Sequence, residues 1–183
     1  MNALRKTNQP LNIKLVVGLG NPGHEHENTF HNAGRMFVFS VAGGGKFESE
    51  KEFDYLKLDE TYLVLTLSPM NQSGPAVKAA LKKFKAKPEE LLVAQDDSDL
   101  ILGNYKTSFG RNSAGHKGVE SIMNSLGTKN FYRLRFGIRG KQGERAGEFV
   151  LRQINKKDLE KLNSAFYGAK VKVMEKLKPL GLG

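Results

Sequence analysis

Ile13-Lys14-Leu15-Val16-Val17-Gly18-Leu19-Gly20-Asn21-Pro22-Gly23 is the stretch on which the fold turns. A run of aliphatic and β-branched side chains with a single polar interruption suits a strand buried on both faces, as in a sheet covered by helices. Gly18 and Gly20 open φ values that end such a strand abruptly, and the turn carries an amide, Asn21, to the strand tip. After a short polar loop comes His31-Asn32-Ala33-Gly34. The two stretches read as the front half of a site whose partners must come from elsewhere in the chain.

Working outward, the segment from His24 to Phe39 begins polar and ends with Met36, Phe37 and Phe39, a loop entering a short helix that Gly43-Gly44-Gly45 breaks. Phe53–Leu58 and Tyr62–Leu67 alternate or run apolar around the turn Asp59-Glu60-Thr61, which predicts a hairpin. From Pro75 to Lys85, Val77, Leu81 and Phe84 share one helical face and lysines hold the other. Leu91-Leu92-Val93-Ala94 predicts a short buried strand that ends in Gln95-Asp96-Asp97-Ser98-Asp99, and strand ends are where ligands collect in open α/β sheets. Gly103–Ser108 suits another strand, His116–Leu126 a helix, and Phe131–Ile138 a strand with Arg133 and Arg135 on one face. A terminal helix is expected from about Lys156 to Lys178. The pattern is that of an α/β protein without repeats or a second domain: a polar, flexible extension over residues 1–12 and one domain over 13–183.

Composition narrows the chemistry. The 183 residues suffice for one core, and no run approaches the ~18 apolar residues of a membrane span, so no membrane is expected. The first dozen residues lack the apolar centre of a secretory signal, which leaves cytoplasmic residence as the expectation. With no cysteine, thiolate chemistry and cysteine-based metal sites are absent. A net charge of +10 points to a polyanionic partner, nucleic acid first, because lysines and arginines that neutralise phosphates release condensed counterions. The plainer alternative is that the lysines serve solubility.

Two familiar motifs fail. Gly18-x-Gly20-x-x-Gly23 superficially matches a dinucleotide fingerprint, but Pro22 stiffens the turn, and Ser40 to Gly45, where the acidic ribose partner belongs, contains no carboxylate. A nucleotide-dependent oxidoreductase is therefore disfavoured. His24-x-His26 with His31 invites a metal reading, but a loop with glutamates among its histidines is ordinarily solvated, and no metal is expected.

Val17–Gly23, Phe30–Gly34, Met70-Asn71-Gln72-Ser73-Gly74, Val93–Leu100, Ala114-Gly115-His116-Lys117-Gly118 and Phe131–Ile138 occur in the order and spacing of bacterial-type peptidyl-tRNA hydrolases, which this chain resembles from about Ile13 to Leu151. The resemblance implies a single three-layer α/β domain with a central mixed sheet flanked by helices. It implies hydrolysis of the ester joining a peptide to the 3′-terminal ribose of tRNA, which recycles tRNA from prematurely released peptidyl-tRNA, by a monomer with no metal or cofactor.

Carried over to this chain, the resemblance makes His31 the general base, Asp96 the carboxylate that orients it, Asn71 the donor to the developing oxyanion, and Asn21 a ligand of the terminal ribose or peptide end. Met70 and His116 would line the channel, with His26 beside it. Lys106 and Arg135 would meet the 5′ phosphate or acceptor stem of the tRNA, and Arg133, Lys141 and Arg145 would extend that basic region. Taken singly, Asp96 also suits a turn and Asn71 a loop that bonds its own backbone; as an ordered set they point to catalysis.

The chain departs from the family at Lys117, usually Asn, where a lysine offers donors only and would depress the pKa of a nearby histidine. Gln95 stands where His is frequent, Phe30 where Arg is, and His26 where Tyr is. The alternative to catalysis is a relative of the same fold that binds tRNA or structured RNA without cutting it. Against it, a pure binder needs no base, orienter and oxyanion donor together. A protein-only interaction module would leave the basic charge unexplained.

Overall fold

The computed structural model describes residues 12–140 and 150–177; residues 1–11 of the expected extension, Lys141 and Arg145 lie outside them. Seven strands form one mixed sheet. β1 (Leu15–Gly18) lies between β4 (Thr61–Thr66) and β5 (Leu91–Ile101), parallel to both. β3 (Phe53–Leu58) and β2 (Glu48–Ser49) extend the sheet beyond β4 as antiparallel neighbours, and β2 is a short strand that the sequence pattern does not reveal. On the other side β7 (Tyr132–Arg139) runs parallel to β5 and pairs antiparallel with the edge strand β6 (Tyr105–Phe109).

Helices cover both faces because the central strands are apolar on both. α1 (Ala33–Ala42) and α4 (Lys156–Leu177) close one core, in which Val16, Phe37, Leu134, Phe136 and Phe166 meet. Phe136 lies 5.0 Å from Phe37 and 4.7 Å from Phe166, ring centre to ring centre. Such side chains contribute about 1.5–3 kcal/mol each on burial, so Phe136→Ala would be among the costliest single changes to this layer. α2 (Ser73–Lys83) and α3 (Lys117–Leu126) close the opposite core over Leu15, Val17, Val64, Val93 and Ile122. The alternation of Leu15 and Val17 to one side and Val16 to the other is the period-2 arrangement of a strand covered twice.

The connections out of β1 and β4 leave on opposite faces, through α1 and α2. Chains wound in this way part at the carboxyl ends of the central strands and leave a crevice there. One glycine makes it tight: a Cβ on Gly34 would lie 2.1 Å from the carbonyl oxygen of Ala94, so only glycine lets α1 begin directly against β5. His31 is thereby brought to the tip of the strand that carries Asp96.

Two boundaries differ from expectation. α2 starts at Ser73 rather than Pro75; a proline in the first turn loses no intrahelical hydrogen bond, so it need not mark the start. β5 does not end at Ala94. Its pairing with β7 continues through Gln95, Asp96 and Asp97, with a register shift before Ile101. Gly137 permits this approach, since a Cβ there would fall 2.1 Å from the Ile101 carbonyl oxygen. The acidic stretch is therefore a continuation of the strand, with two faces, rather than its end.

Candidate active site

Asp96 and Asp97 point to opposite faces of β5, as neighbours on a strand must. Asp96, 3% exposed, receives two imidazoles on one oxygen. His31 Nδ1 lies 2.9 Å from Asp96 Oδ1, and His116 Nε2 lies 3.0 Å from the same atom. The ring centres of the two histidines are 5.3 Å apart.

Each histidine is held by its backbone. His31 sits in a 3-10 turn, Phe30–Asn32, and its N–H donates to the Val150 carbonyl at 2.8 Å. His116 is the N-cap of α3, and its Nδ1 accepts the Val119 N–H at 3.4 Å. That acceptance sets the tautomer: with Nδ1 unprotonated, Nε2 carries the hydrogen and donates to Asp96. His31 likewise donates from Nδ1, which leaves the lone pair on its Nε2 free.

The electrostatics follow from burial and sharing. Burial alone would raise the Asp96 pKa, but the charge and hydrogen bond of His116 and then those of His31 hold this carboxyl well below the usual range. For His31, burial favours the neutral ring, yet the hydrogen bond and charge of Asp96 together outweigh it and raise the pKa above its ordinary value. The expected depression by Lys117 does not occur. Lys117 opens α3 with its side chain 73% exposed, and its ammonium lies 3.6 Å from Glu120 one turn on.

Asn21 is fastened rather than loose. Its N–H donates to Asn32 Oδ1 at 2.8 Å, its carbonyl accepts from Asn32 Nδ2 at 2.9 Å, and its own Oδ1 accepts the Met70 N–H at 2.8 Å. The tips of β1 and of the β4–α2 connection are thus tied together, and Asn71, exposed in the 3-10 turn Met70–Gln72, follows directly. Asn32 is a residue that motif reading passed over; its place in His-Asn-Ala-Gly was the available signal.

Asn71 lines a groove of about 610 Å³ between the starts of α2 and α3, whereas His31, Asp96 and His116 line a pocket of about 410 Å³. Lys117 borders both.

Other expected residues fall differently. Met70 is 4% exposed, so its side chain belongs to the α2/α3 core. Phe30 is buried in the opposite core. His26 lies 3.6 Å from Glu25 and lines neither the His31 pocket nor the Asn71 groove. Arg135 does reach the pocket, where its Nη1 donates to Asp97 at 2.8 Å, and exposed Lys106 faces it across the β6–β7 pair. Arg133 is 3% exposed; burial, and then the charge of Arg135, push its pKa down to about 10.

His24, proposed and rejected above as a metal ligand, bonds Glu27 at 2.9 Å instead. Among the described residues, His31, Asp96 and His116 are the group whose ligand atoms come within 4.8 Å of one another, a spacing open to a divalent ion. An ion there would have to displace both N–H donors from Asp96. Among the described residues, no helix is long and apolar enough to cross a membrane.

What the arrangement can do chemically is take a proton at His31 Nε2 while a buried anion supports the imidazolium. Comparison with known proteins is consistent with that. The family model described as peptidyl-tRNA hydrolase matches residues 15–179. A peptidyl-tRNA hydrolase of Aquifex aeolicus is 43% identical over 149 residues, covering 77% of this chain and 78% of the relative. One from Marinobacter nauticus is 40% identical over 164 residues, 84% of this chain and 83% of the relative. The crystal structure of the Acinetobacter baumannii peptidyl-tRNA hydrolase superposes with a TM-score of 0.80 at 30% identity, over 93% of this chain and 91% of that one.

Proposed function

The chain belongs to the peptidyl-tRNA hydrolase family, and on that premise we propose that it cleaves the ester between a peptide and the 3′-terminal ribose of tRNA with His31 as general base. The observation that carries the assignment is the 2.9 Å bond from His31 Nδ1 to buried Asp96. Water attacks the ester carbonyl carbon and gives a proton to His31 Nε2, and the imidazolium that forms faces a carboxylate already ionised. Asp96 keeps the ring in the required tautomer and offsets its charge. The tetrahedral intermediate then collapses: the bond to the ribose oxygen breaks, and the proton on Nε2 goes to that leaving oxygen. Peptide acid and free tRNA result.

Asn71, exposed at the head of its groove, donates to the carbonyl oxygen as charge builds, a contribution of ~2.7–4 kcal/mol for such donors. Asn21, with Oδ1 committed to Met70, acts through its Nδ2 on the ribose or peptide end. The groove beside Asn71 takes the peptide. Lys106, Arg135 and Lys117 provide the cationic border for the RNA, which is met mainly through backbone and shape. The reading includes residence in the cytoplasm, where peptidyl-tRNA is produced, and action as a monomer without a metal ion. In support of the monomer, one chain supplies His31, Asp96 and His116.

The test is release of a labelled N-acetyl-aminoacyl group from tRNA by the purified protein and by His31→Ala. Rapid release abolished by the substitution is expected. Tight, salt-sensitive tRNA binding without release would overturn the reading in favour of an RNA-binding relative.

A further inference from the structure

A third cavity, of about 400 Å³, lies beyond the His31 pocket and the Asn71 groove, between α1, the loop after Asn21 and α4. Its volume suits a small molecule. Asn21 and Asn32 form part of its wall, so it backs onto the turn that ties β1 to Met70. Neither His31 nor Asn71 lines it.

The cavity holds two opposite charges that do not pair with each other. Arg35 is half-buried; its stem crosses Gly20, where a Cβ would lie 2.5 Å from Arg35 Cδ, and its Nη1 donates to the Thr66 carbonyl at 2.7 Å. A guanidinium has about five N–H donors, and this neutral carbonyl occupies one of them. Burial lowers the Arg35 pKa, and the charges of Asp54 and then Glu27 act against that at a distance, without a hydrogen bond. Asp54 accepts the Ser49 hydroxyl at 2.7 Å and does not line the cavity. Glu27 does line it, exposed at the rim; its Oε2 meets His24 Nδ1 at 2.9 Å, which leaves Oε1 available. The rest of the wall is largely apolar. Met36 and Phe39 on α1 and Phe166 on α4 contribute to it, and Phe39 is 50% exposed although its ring meets Phe47 at 5.6 Å.

These charges select among ligands. A phosphate would meet Arg35 but be opposed by Glu27, and an amine would meet Glu27 but be opposed by Arg35. An uncharged apolar molecule would leave both without a charged partner. A molecule with a carboxylate and an ammonium on one carbon, and an apolar side chain beside them, satisfies all three parts of the wall. A peptide carries those two charges on different residues, which favours the free amino acid.

We propose that this cavity binds a free apolar α-amino acid, its carboxylate on Arg35, its ammonium on Glu27 Oε1 and its side chain against Met36, Phe39 and Phe166. The site gives the Arg35 guanidinium a role beyond bracing the turn at Gly20, and it sets a ligand against the turn that carries Asn21. It is independent of the hydrolase reading.

The experiment titrates the isotope-labelled full chain with L-phenylalanine, with phenylalaninamide, which lacks the carboxylate, and with N-acetyl-phenylalanine, which lacks the ammonium, and follows the backbone amide resonances. Saturable shifts at Glu27, Arg35 and Phe39 are expected with L-phenylalanine. Each analogue leaves one charge of the cavity without its partner and should bind about tenfold more weakly. Glycine, without the apolar side chain, should also bind about tenfold more weakly. In Glu27→Gln the penalty on N-acetyl-phenylalanine should disappear while that on phenylalaninamide persists, and Arg35→Gln should show the reverse. Glu27 is exposed, so its substitution leaves the fold intact. Should Arg35→Gln fail to fold, the analogue series on the native protein still carries the test.

Equal binding of L-phenylalanine and both analogues would overturn the proposal in favour of an apolar cleft. The absence of any saturable shift, or shifts confined to residues around His31, would overturn the site altogether. Binding is read without tRNA, so its failure leaves ester hydrolysis untouched, and a failure of hydrolysis leaves this site standing.

Discussion

Asp96 and Asp97 are consecutive, identical in chemistry and opposite in circumstance. Asp96 turns toward the start of α1, is almost fully buried, and holds two imidazoles on one oxygen. Asp97 turns to the α3 face, where it pairs with Arg135, a cation with a permanent charge. The first carboxylate controls whether a group that titrates near neutrality carries a proton; the second only offsets a charge that does not change. A strand of alternating faces thus puts a carboxylate shared by two titratable rings on one side and one paired with a guanidinium on the other, within one residue.

Substitutions can break or sharpen that contrast. The largest effect is expected for His31→Ala, which removes the base while the fold survives, lowering kcat/KM by about 10⁴-fold; single-turnover release from N-acetyl-aminoacyl-tRNA reads it. Asp96→Asn should cost about 10²–10³-fold, whereas Asp97→Asn should leave kcat within about fivefold and alter mainly KM and its salt dependence. Equal losses in kcat from the two would break the comparison. Asn71→Ala should lower kcat by about 10²-fold with a smaller change in KM, as for loss of a donor that acts on the transition state.

The smallest effect belongs to His116→Ala. It deletes one of two donors to Asp96, so the remaining bond to His31 strengthens and the acid limb of the rate profile should move to higher pH, with activity within about tenfold of the native protein. It also deletes the N-cap of α3, for about 1 kcal/mol, seen as a fall of about 2–4 °C in Tm.

Much of this was legible in the chain. The apolar run to Gly18, the hairpin and the helices around Val77 and Val119 carry their periods openly, and the ordered motifs point to His31, Asp96, Asn71 and Asn21. What the sequence hides is which atoms share a partner. Nothing in Ala114-Gly115-His116 says that this ring caps a helix and donates to Asp96, because both bonds depend on where α3 lands on the sheet. Gln95-Asp96-Asp97 reads as the end of the strand because polar residues end strands; the close approach that Gly137 allows keeps it paired. Lys117 reads as a charge beside the base; it borders the pocket, but its side chain is largely exposed and its ammonium lies beside Glu120 one helical turn along. Met70 and Phe30, motif members both, are buried by the two cores, since a residue in a functional motif still answers to the nearest apolar face.

The most direct test of the account is the pH dependence of kcat/KM for the native protein and for Asp96→Asn. A base must be unprotonated to act, so the rate falls as pH drops through the His31 pKa. Asp96 raises that pKa against burial, which places the native acid limb above the ordinary histidine value of about 6.5. Without the carboxylate, burial acts alone, and the limb of Asp96→Asn should move to lower pH as the rate falls. A limb at the same pH in both proteins would contradict the assignment of Asp96 as the group that sets the protonation of His31.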